Sequence, residues 1–250
     1  MYACVLCLGV VGNKGGVAVG FEVAHTRVCV IGAHLAAHLE RVLIRNENYY
    51  DIVRGLKVAP NGLDPTSYYE HVFWCGDLNY RIDLPRQKAI DKVNEGDLNF
   101  LWEHDQLRTE KAAGRCFYGY REGHITFRPT YRYERGSRVY TPEKMRTPSW
   151  CDRVLWKSIR RECQQLAYGC NDDIMTSDHS PVHAAFKIKT SRRPHLQDLR
   201  DRDAGHYCNY YTHTCSHNYA HTCPHNYAHY YTTVHNTKHT GFILYILLRT

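Results

Sequence analysis

Asp77 and Asn79, an acid and an amide two residues apart, follow the apolar run His71-Val72-Phe73-Trp74-Cys75. A buried strand ending there delivers both groups to one side of the chain, where Asp77 can activate a water and Asn79 can hold it or a phosphate. An Asx turn closing a strand uses the same two residue types. Asp178 and His179 sit side by side ahead of the apolar run 182–188. Such a pair can present a charged imidazole to a phosphate while the carboxylate orients it. His34 closes the apolar run 28–33 and can either hydrogen-bond a phosphoryl oxygen or simply end a strand. Gly12-Asn13-Lys14-Gly15-Gly16 opens the next apolar stretch, and its glycines let backbone approach an anion while Lys14 adds charge. It is no Walker loop, because no Ser or Thr follows the lysine. Pro148-Ser149-Trp150-Cys151-Asp152-Arg153 also precedes a strand-like run. Taken singly, each of these motifs has capping or turn formation as its commoner explanation.

These groups need a scaffold, and the residues between them supply one. Apolar positions alternate at Val17, Val19, Phe21 and Val23, and a polar turn leads to the run 28–33, which predicts a strand pair. Leu39, Val42, Leu43, Asn46, Tyr49, Tyr50, Val53 and Leu56 recur at three- and four-residue steps, predicting an amphipathic helix over 40–56. Residues 84–113 read as helix in pieces, broken near Gly96 and Asp105, and short strands are expected around 125–127, 153–156 and 182–188. Strands and helices intermix, so the expected class is α/β or α+β, with polar motifs on the rim of a sheet.

The 250 residues carry 32 Lys and Arg against 25 Asp and Glu, a net charge of +7 that favours an anionic partner: nucleic acid, a membrane surface or a phosphorylated substrate. Cys4, Cys7, Cys29 and Cys75 lie in apolar runs without regular spacing and read as reduced thiols of a cytosolic protein. The run 3–11 lacks the basic flank and cleavage site of a signal peptide and reads as a buried strand. The run 241–248 is far shorter than the roughly 20 residues that cross a bilayer. Residues 190–204 read as a linker. Residues 205–250 are rich in His, Tyr, Thr and Cys and contain a near-repeat, 216–223 followed by 224–231, so this tail is expected to be low-complexity and disordered.

In order and context, GNKGGV, HLAAH, CGDLNYRI, PTYRYERGS, PSWCDRVLW and TSDHSPV resemble the inositol polyphosphate 5-phosphatases of the DNase I-like endonuclease/exonuclease/phosphatase superfamily. The likeness runs from about Val10 to Lys189. PTYRYERGSR, PSWCDRVLWKS and YGCNDDIMTSDHSPV look most like the SHIP-type enzymes, whereas HLAAH looks like the synaptojanin and oculocerebrorenal branches. The resemblance implies a catalytic domain over 1–189, folded as a two-layered β-sandwich flanked by helices. It implies a cytosolic enzyme, peripheral at anionic membranes, that removes the 5-phosphate from phosphoinositide headgroups or soluble inositol polyphosphates with Mg2+, and no nucleic-acid partner. Asp77 would position or deprotonate the water, Asn79 would hold the phosphate, and His179, oriented by Asp178 and helped by His34, would stabilise phosphoryl charge. Tyr131, Arg132, Lys144 and Arg146 match the family's 4-phosphate positions, and Asn13 and Lys14 face the 1-phosphate and lipid side. Asp152 and Arg153 join the substrate-binding set.

At the front the sequence departs from the pattern. Relatives carry, ahead of GNKGG, an early strand with a metal-side asparagine and a later one ending in a magnesium-ligating glutamate. The sequence shows neither, so the expectation is a sandwich lacking its first strands, an unidentified metal set, and weak or no activity in this polypeptide alone. Two rival readings are a non-catalytic phosphoinositide-binding fragment and a nuclease of the same superfamily.

Overall fold

The computed structural model describes residues 2–8, 14–159, 163–190, 229–237 and 241–249. Two sheets face each other. One has six strands in the order β1-β2-β3-β4-β6-β5, namely β1 (Tyr2–Leu8), β2 (Lys14–Val23), β3 (Thr26–His34), β4 (His71–Asp77), β6 (Asp152–Ser158) and β5 (Arg121–Glu122). The other has the order β7-β8-β10-β9, built from β7 (Cys163–Cys170), β8 (Val182–Lys189), β10 (Gly241–Arg249) and β9 (His229–Thr237). Among the described residues the α-helices are α1 (Val42–Gly55), α2 (Pro65–Tyr68), α3 (Arg86–Glu95), α4 (Leu98–Glu103) and α5 (Gln106–Ala112); α1, α2 and α5 pack on the outer face of the larger sheet, while α3 and α4 bury Ala89, Val93 and Leu101 in the core shared with the smaller sheet. The pieces expected between 84 and 113 are α3, α4 and α5, with Gly96 in the left-handed conformation (φ 74°) closing the first and the Asp97 and Asp105 side chains capping the next two.

Period-two alternation explains the layering. Val28 and Val30 of β3, Phe73 and Cys75 of β4, and Val154 and Trp156 of β6 point towards the smaller sheet, where Phe73 and Trp156 meet Phe186 with ring centroids 4.8 and 5.1 Å away. The alternate residues, Cys29, Ile31, Val72, Trp74 and Leu155, pack beneath Tyr49 and Ile52 of α1 and Leu107 of α5. Because both faces are covered, β4 is buried at every position, which is why it reads as a continuous apolar run.

Three expectations change. Residues 125–127 form no strand, although Ile125 and Phe127 are buried: the loop packs its side chains into the core and its Phe127 carbonyl accepts from the Trp150 indole at 3.0 Å. Strand β7 is absent from the sequence reading because it lies at the edge of its sheet and a register shift between Gln165 and Ala167 breaks its alternation. The end of the chain is not tail. The apolar run there pairs antiparallel with β8, from Gly241 opposite Lys189 to Leu248 opposite Val182, and Phe242, Leu244, Ile246 and Leu248 join the core. Measured only against the thickness of a bilayer, this run looks too short to matter; nine residues are ample for a sheet strand. With β7 on one side and β10 on the other, β8 has no open edge. The remainder of 205–250, apart from β9, and the linker beyond Thr190 lie outside the described residues.

Leu244 is fully buried, so Leu244→Ala is expected to cost about 2–5 kcal/mol in urea denaturation. A loss under about 0.5 kcal/mol would place this strand outside the core.

Candidate functional site

The site is a transverse row at one end of the larger sheet. Pairing puts Gly15 of β2 opposite His34 of β3, His34 opposite Asp77 of β4, and Asp77 opposite Asp152 of β6. Four strands thus deliver their end residues to one line. Beyond Gly76, whose φ of 137° suits a residue without Cβ, the chain turns back on itself, and Asn79 takes a left-handed φ of 55° that Asn tolerates better than most residues. The Asn79 backbone N–H donates to Asp77 Oδ1 at 3.0 Å, an Asx turn, so turn chemistry rather than strand alternation brings the amide beside the acid.

Asn79 is fully engaged. Its Nδ2 donates to Asp77 Oδ2 (3.0 Å) and the Leu35 carbonyl (3.1 Å), and its Oδ1 accepts from Arg81 Nη2 at 2.5 Å. In this structure it therefore braces Asp77 against Arg81 and has no amide proton left for a phosphate. His34 Nε2 lies 3.3 Å from Asp77 Oδ2. Burial alone would raise the Asp77 carboxyl, but the hydrogen bond and charge of His34, with the charges of His179 and Arg81, outweigh it and hold the carboxyl well below the usual range.

His179 is brought in by the segment around Tyr131, which bridges both Ser149 and His179. Its partner is Asp152, not Asp178: His179 Nδ1 lies 2.9 Å from Asp152 Oδ2. Neighbouring residues of an extended chain point to opposite sides, so Asp178 cannot orient the ring beside it. Instead Asp178 Oδ2 accepts from Arg132 Nε at 2.9 Å. Asp152 is 1% exposed, so it is a positioning residue rather than a substrate contact. Burial pushes its carboxyl up, but Oδ2 also accepts from the Thr130 hydroxyl at 2.8 Å, and an oxygen receiving two such bonds is the ionised acceptor. The shared proton thus sits on the imidazole. Burial opposes a charge on His179, yet Asp152, Asp77 and Asp178 together raise it to about 9, leaving it a cation at neutral pH.

The other expected substrate contacts divide. Arg153 is fully buried and pairs with Asp105 (2.9 Å) and Glu122 (2.6 Å) beneath the site, so it is structural. Arg132 is held by Asp178 and by Glu143 at 2.9 Å. Arg146 donates to the Tyr131 hydroxyl at 2.6 Å, and Lys144 is mostly exposed. Both line a cavity of about 380 Å³ with His38, Leu39 and Arg81. Arg81 is the residue that sequence reasoning missed: it is 5% exposed and its guanidinium lies 4.4 Å from the centre of the Tyr131 ring. Its place two residues after Asn79 was the available signal. Asn13 lies outside the described residues, while Lys14 reaches His34.

Residues 4–185 match the family described as Endonuclease/Exonuclease/phosphatase family 2. The chain belongs to that family. It is similar to phosphatidylinositol 3,4,5-trisphosphate 5-phosphatase 1 of Xenopus laevis (44% identical over 194 residues, 71% of this chain and 19% of the relative). It is similar also to type II inositol 1,4,5-trisphosphate 5-phosphatase of Mus musculus (42% identical over 189 residues, 72% of this chain and 19% of the relative). The chain thus spans about a fifth of these relatives. Among solved structures it resembles the inositol polyphosphate 5-phosphatase domain of SPsynaptojanin, in complex with inositol (1,4)-bisphosphate and calcium ion. That match has a TM-score of 0.70 at 31% identity, covering 81% of this chain and 62% of that one. The Cimex nitrophorin ferrous NO complex matches with a TM-score of 0.62 at 24% identity, covering 74% of this chain and 63% of that one, so the fold alone does not select the chemistry.

The family's divalent cation can be tested against the side chains. Among the described residues no three His, Cys, Asp or Glu are grouped to hold a metal ion. One acidic oxygen, Asp152 Oδ1, is nevertheless buried without a hydrogen-bond donor. That combination fits a hard cation that keeps most of its waters, one of which Asp152 would hold.

Asp152→Asn is expected to lower the His179 titration from about 9 towards its ordinary value near 6.5, read by NMR. Because folding raises the proton affinity of His179, its stabilisation is complete below pH about 6.5 and is lost as pH rises through about 9. Arg153→Ala strands two buried carboxylates and is expected to destabilise the fold by about 3–5 kcal/mol. A variant of unchanged stability but raised KM would return Arg153 to the substrate-binding set.

Proposed function

We propose that this chain carries the active surface of an inositol polyphosphate 5-phosphatase that hydrolyses the 5-phosphate of phosphatidylinositol 3,4,5-trisphosphate or 4,5-bisphosphate. The observation that carries this reading is the juxtaposition of an ionised Asp77 with an imidazolium held by Asp152, beside a cavity lined by Arg81, Lys144 and Arg146. Similarity to enzymes named for these substrates supports the choice of headgroup.

Asp77 receives a proton from the attacking water as its oxygen bonds to phosphorus. The bond to the inositol oxygen breaks on the opposite face, and that oxygen leaves as the alcohol with a proton from solvent. His179 places a fixed positive charge against the phosphoryl oxygens, where it needs no reorganisation as charge develops. Asn79 and Arg81 keep the Asp77 carboxylate in place, and Arg146 and Lys144 meet a neighbouring phosphate on the ring. Mg2+, when bound, supplies further neutralisation of the phosphoryl charge. The reading carries with it a peripheral place at the cytosolic face of membranes, where such headgroups are presented.

Phosphate release from short-chain phosphatidylinositol 3,4,5-trisphosphate tests this. Turnover by the full chain is expected to be slow and to climb with Mg2+ through the millimolar range, since the described residues group too few acids to saturate early. Asp77→Ala and His179→Ala are each expected to reduce it by about 10²–10⁴-fold. Arg146→Ala should raise KM more than it lowers kcat. Vesicle binding with no turnover at any Mg2+ concentration would instead identify a headgroup-binding module.

A further inference from the structure

Lys14 begins β2, beside the Gly15 that faces His34, and its half-buried side chain does not run out to solvent. Its Nζ lies 2.6 Å from His34 Nε2, and the same ring nitrogen lies 3.3 Å from Asp77 Oδ2. Nε2 cannot serve both neighbours. An ammonium has protons to give and no acceptor, so contact with Lys14 requires a lone pair on Nε2. A carboxylate accepts only, so a bond to Asp77 requires a proton on the same atom. The distances choose between the two: 3.3 Å lies beyond the ordinary N–H···O range, while 2.6 Å is close contact.

We propose that Lys14 is a positioning residue for the reaction: its Nζ donates to His34 Nε2, holds His34 neutral with the ring proton on Nδ1, and thereby leaves Asp77 free to take the proton of water. This rests on the reading of Asp77 as the base. The consequence for Asp77 is direct. Part of what depresses its carboxyl is a positive charge and a hydrogen bond from His34, and with His34 neutral that part is withdrawn, leaving a stronger base. The remaining charges facing the pair are Arg81, which follows β4, and His179 across the row, both of which act on Asp77 whatever the state of His34. Lys14 itself is drawn towards neutrality by burial and towards its charged form by Asp77, with Arg81 opposing. No bond between heavy atoms changes. If the Lys14 contact is lost, His34 takes one proton from solvent at Nε2 and pairs with Asp77; when it is restored, that proton returns to solvent.

The test is histidine-ring 15N NMR on the full chain at pH 7, comparing the native protein with Lys14→Met, which keeps an unbranched apolar stem one atom shorter and has no donor, and Lys14→Arg, which keeps a donor. The His34 Nε2 resonance is expected at the unprotonated position in the native protein and Lys14→Arg, and to shift to the protonated position in Lys14→Met. A protonated Nε2 in the native protein, or no shift in Lys14→Met, overturns the proposal. Circular dichroism melting establishes that each variant is folded, and Lys14→Arg alone remains decisive should the methionine variant unfold, since a protonated Nε2 there refutes the donor role. The second readout is the pH dependence of kcat. Its acid limb should move down by about one pH unit in Lys14→Met, because a charged His34 depresses the Asp77 carboxyl, and recover in Lys14→Arg. A rise in KM with an unmoved limb would make Lys14 a substrate contact instead. The NMR result stands whether or not the chain turns over, so failure of the phosphatase reading and failure of this proposal give different outcomes.

Discussion

The buried contact between Asp152 and His179 is the constraint on which the site depends. Two charges out of water are unfavourable unless each is tightly paired, and here the imidazolium has the carboxylate 2.9 Å away while the carboxylate has a second donor in Thr130. Meeting that condition fixes where β6 must begin and how the segment through Tyr131 must run. The same segment carries Arg132, which holds Asp178, and sets the Tyr131 ring, tilted, against His179 and under Arg81.

The sheet can hold such a row because its middle strands are covered on both faces. With apolar side chains of β3, β4 and β6 committed alternately to the smaller sheet and to the helices, no strand can slip by one residue without turning its whole core outward. Register is therefore rigid, and the end residues inherit that rigidity. Below the row, Arg153 between Asp105 and Glu122 satisfies charges the apolar layers cannot. On the helical side, the fully buried Arg45 donates to the carbonyls of Ala36 and His38 and to Gln106, tying down the loop that follows His34.

Among the described residues, several cations near the row are already held by partners. Arg132 and Arg153 are committed to acids, Arg81 to Asn79, and Lys14 to an imidazole. Lys144 and Arg146 line the cavity with Arg81. An anion approaching the row thus meets oriented charges held by fixed partners.

Local spacing determined much by itself. The alternation in β2, the continuous apolar runs of β3 and β4, the helical steps of α1 and the breaks at Gly96 and Asp105 are written in residues near one another, and so is the order of the strand-end motifs. Tertiary structure alone decided the pairings. It gave His179 to Asp152, 27 positions away, and turned Asp178 towards Arg132; it buried Arg153 and brought Arg81 over Tyr131. It also set the run 241–248 against β8 across a long stretch of chain whose composition predicted no packing. The reason is geometric: spacing along a chain says which way a side chain can face relative to its neighbours, but its partner arrives from another strand, and only register decides which residue that is.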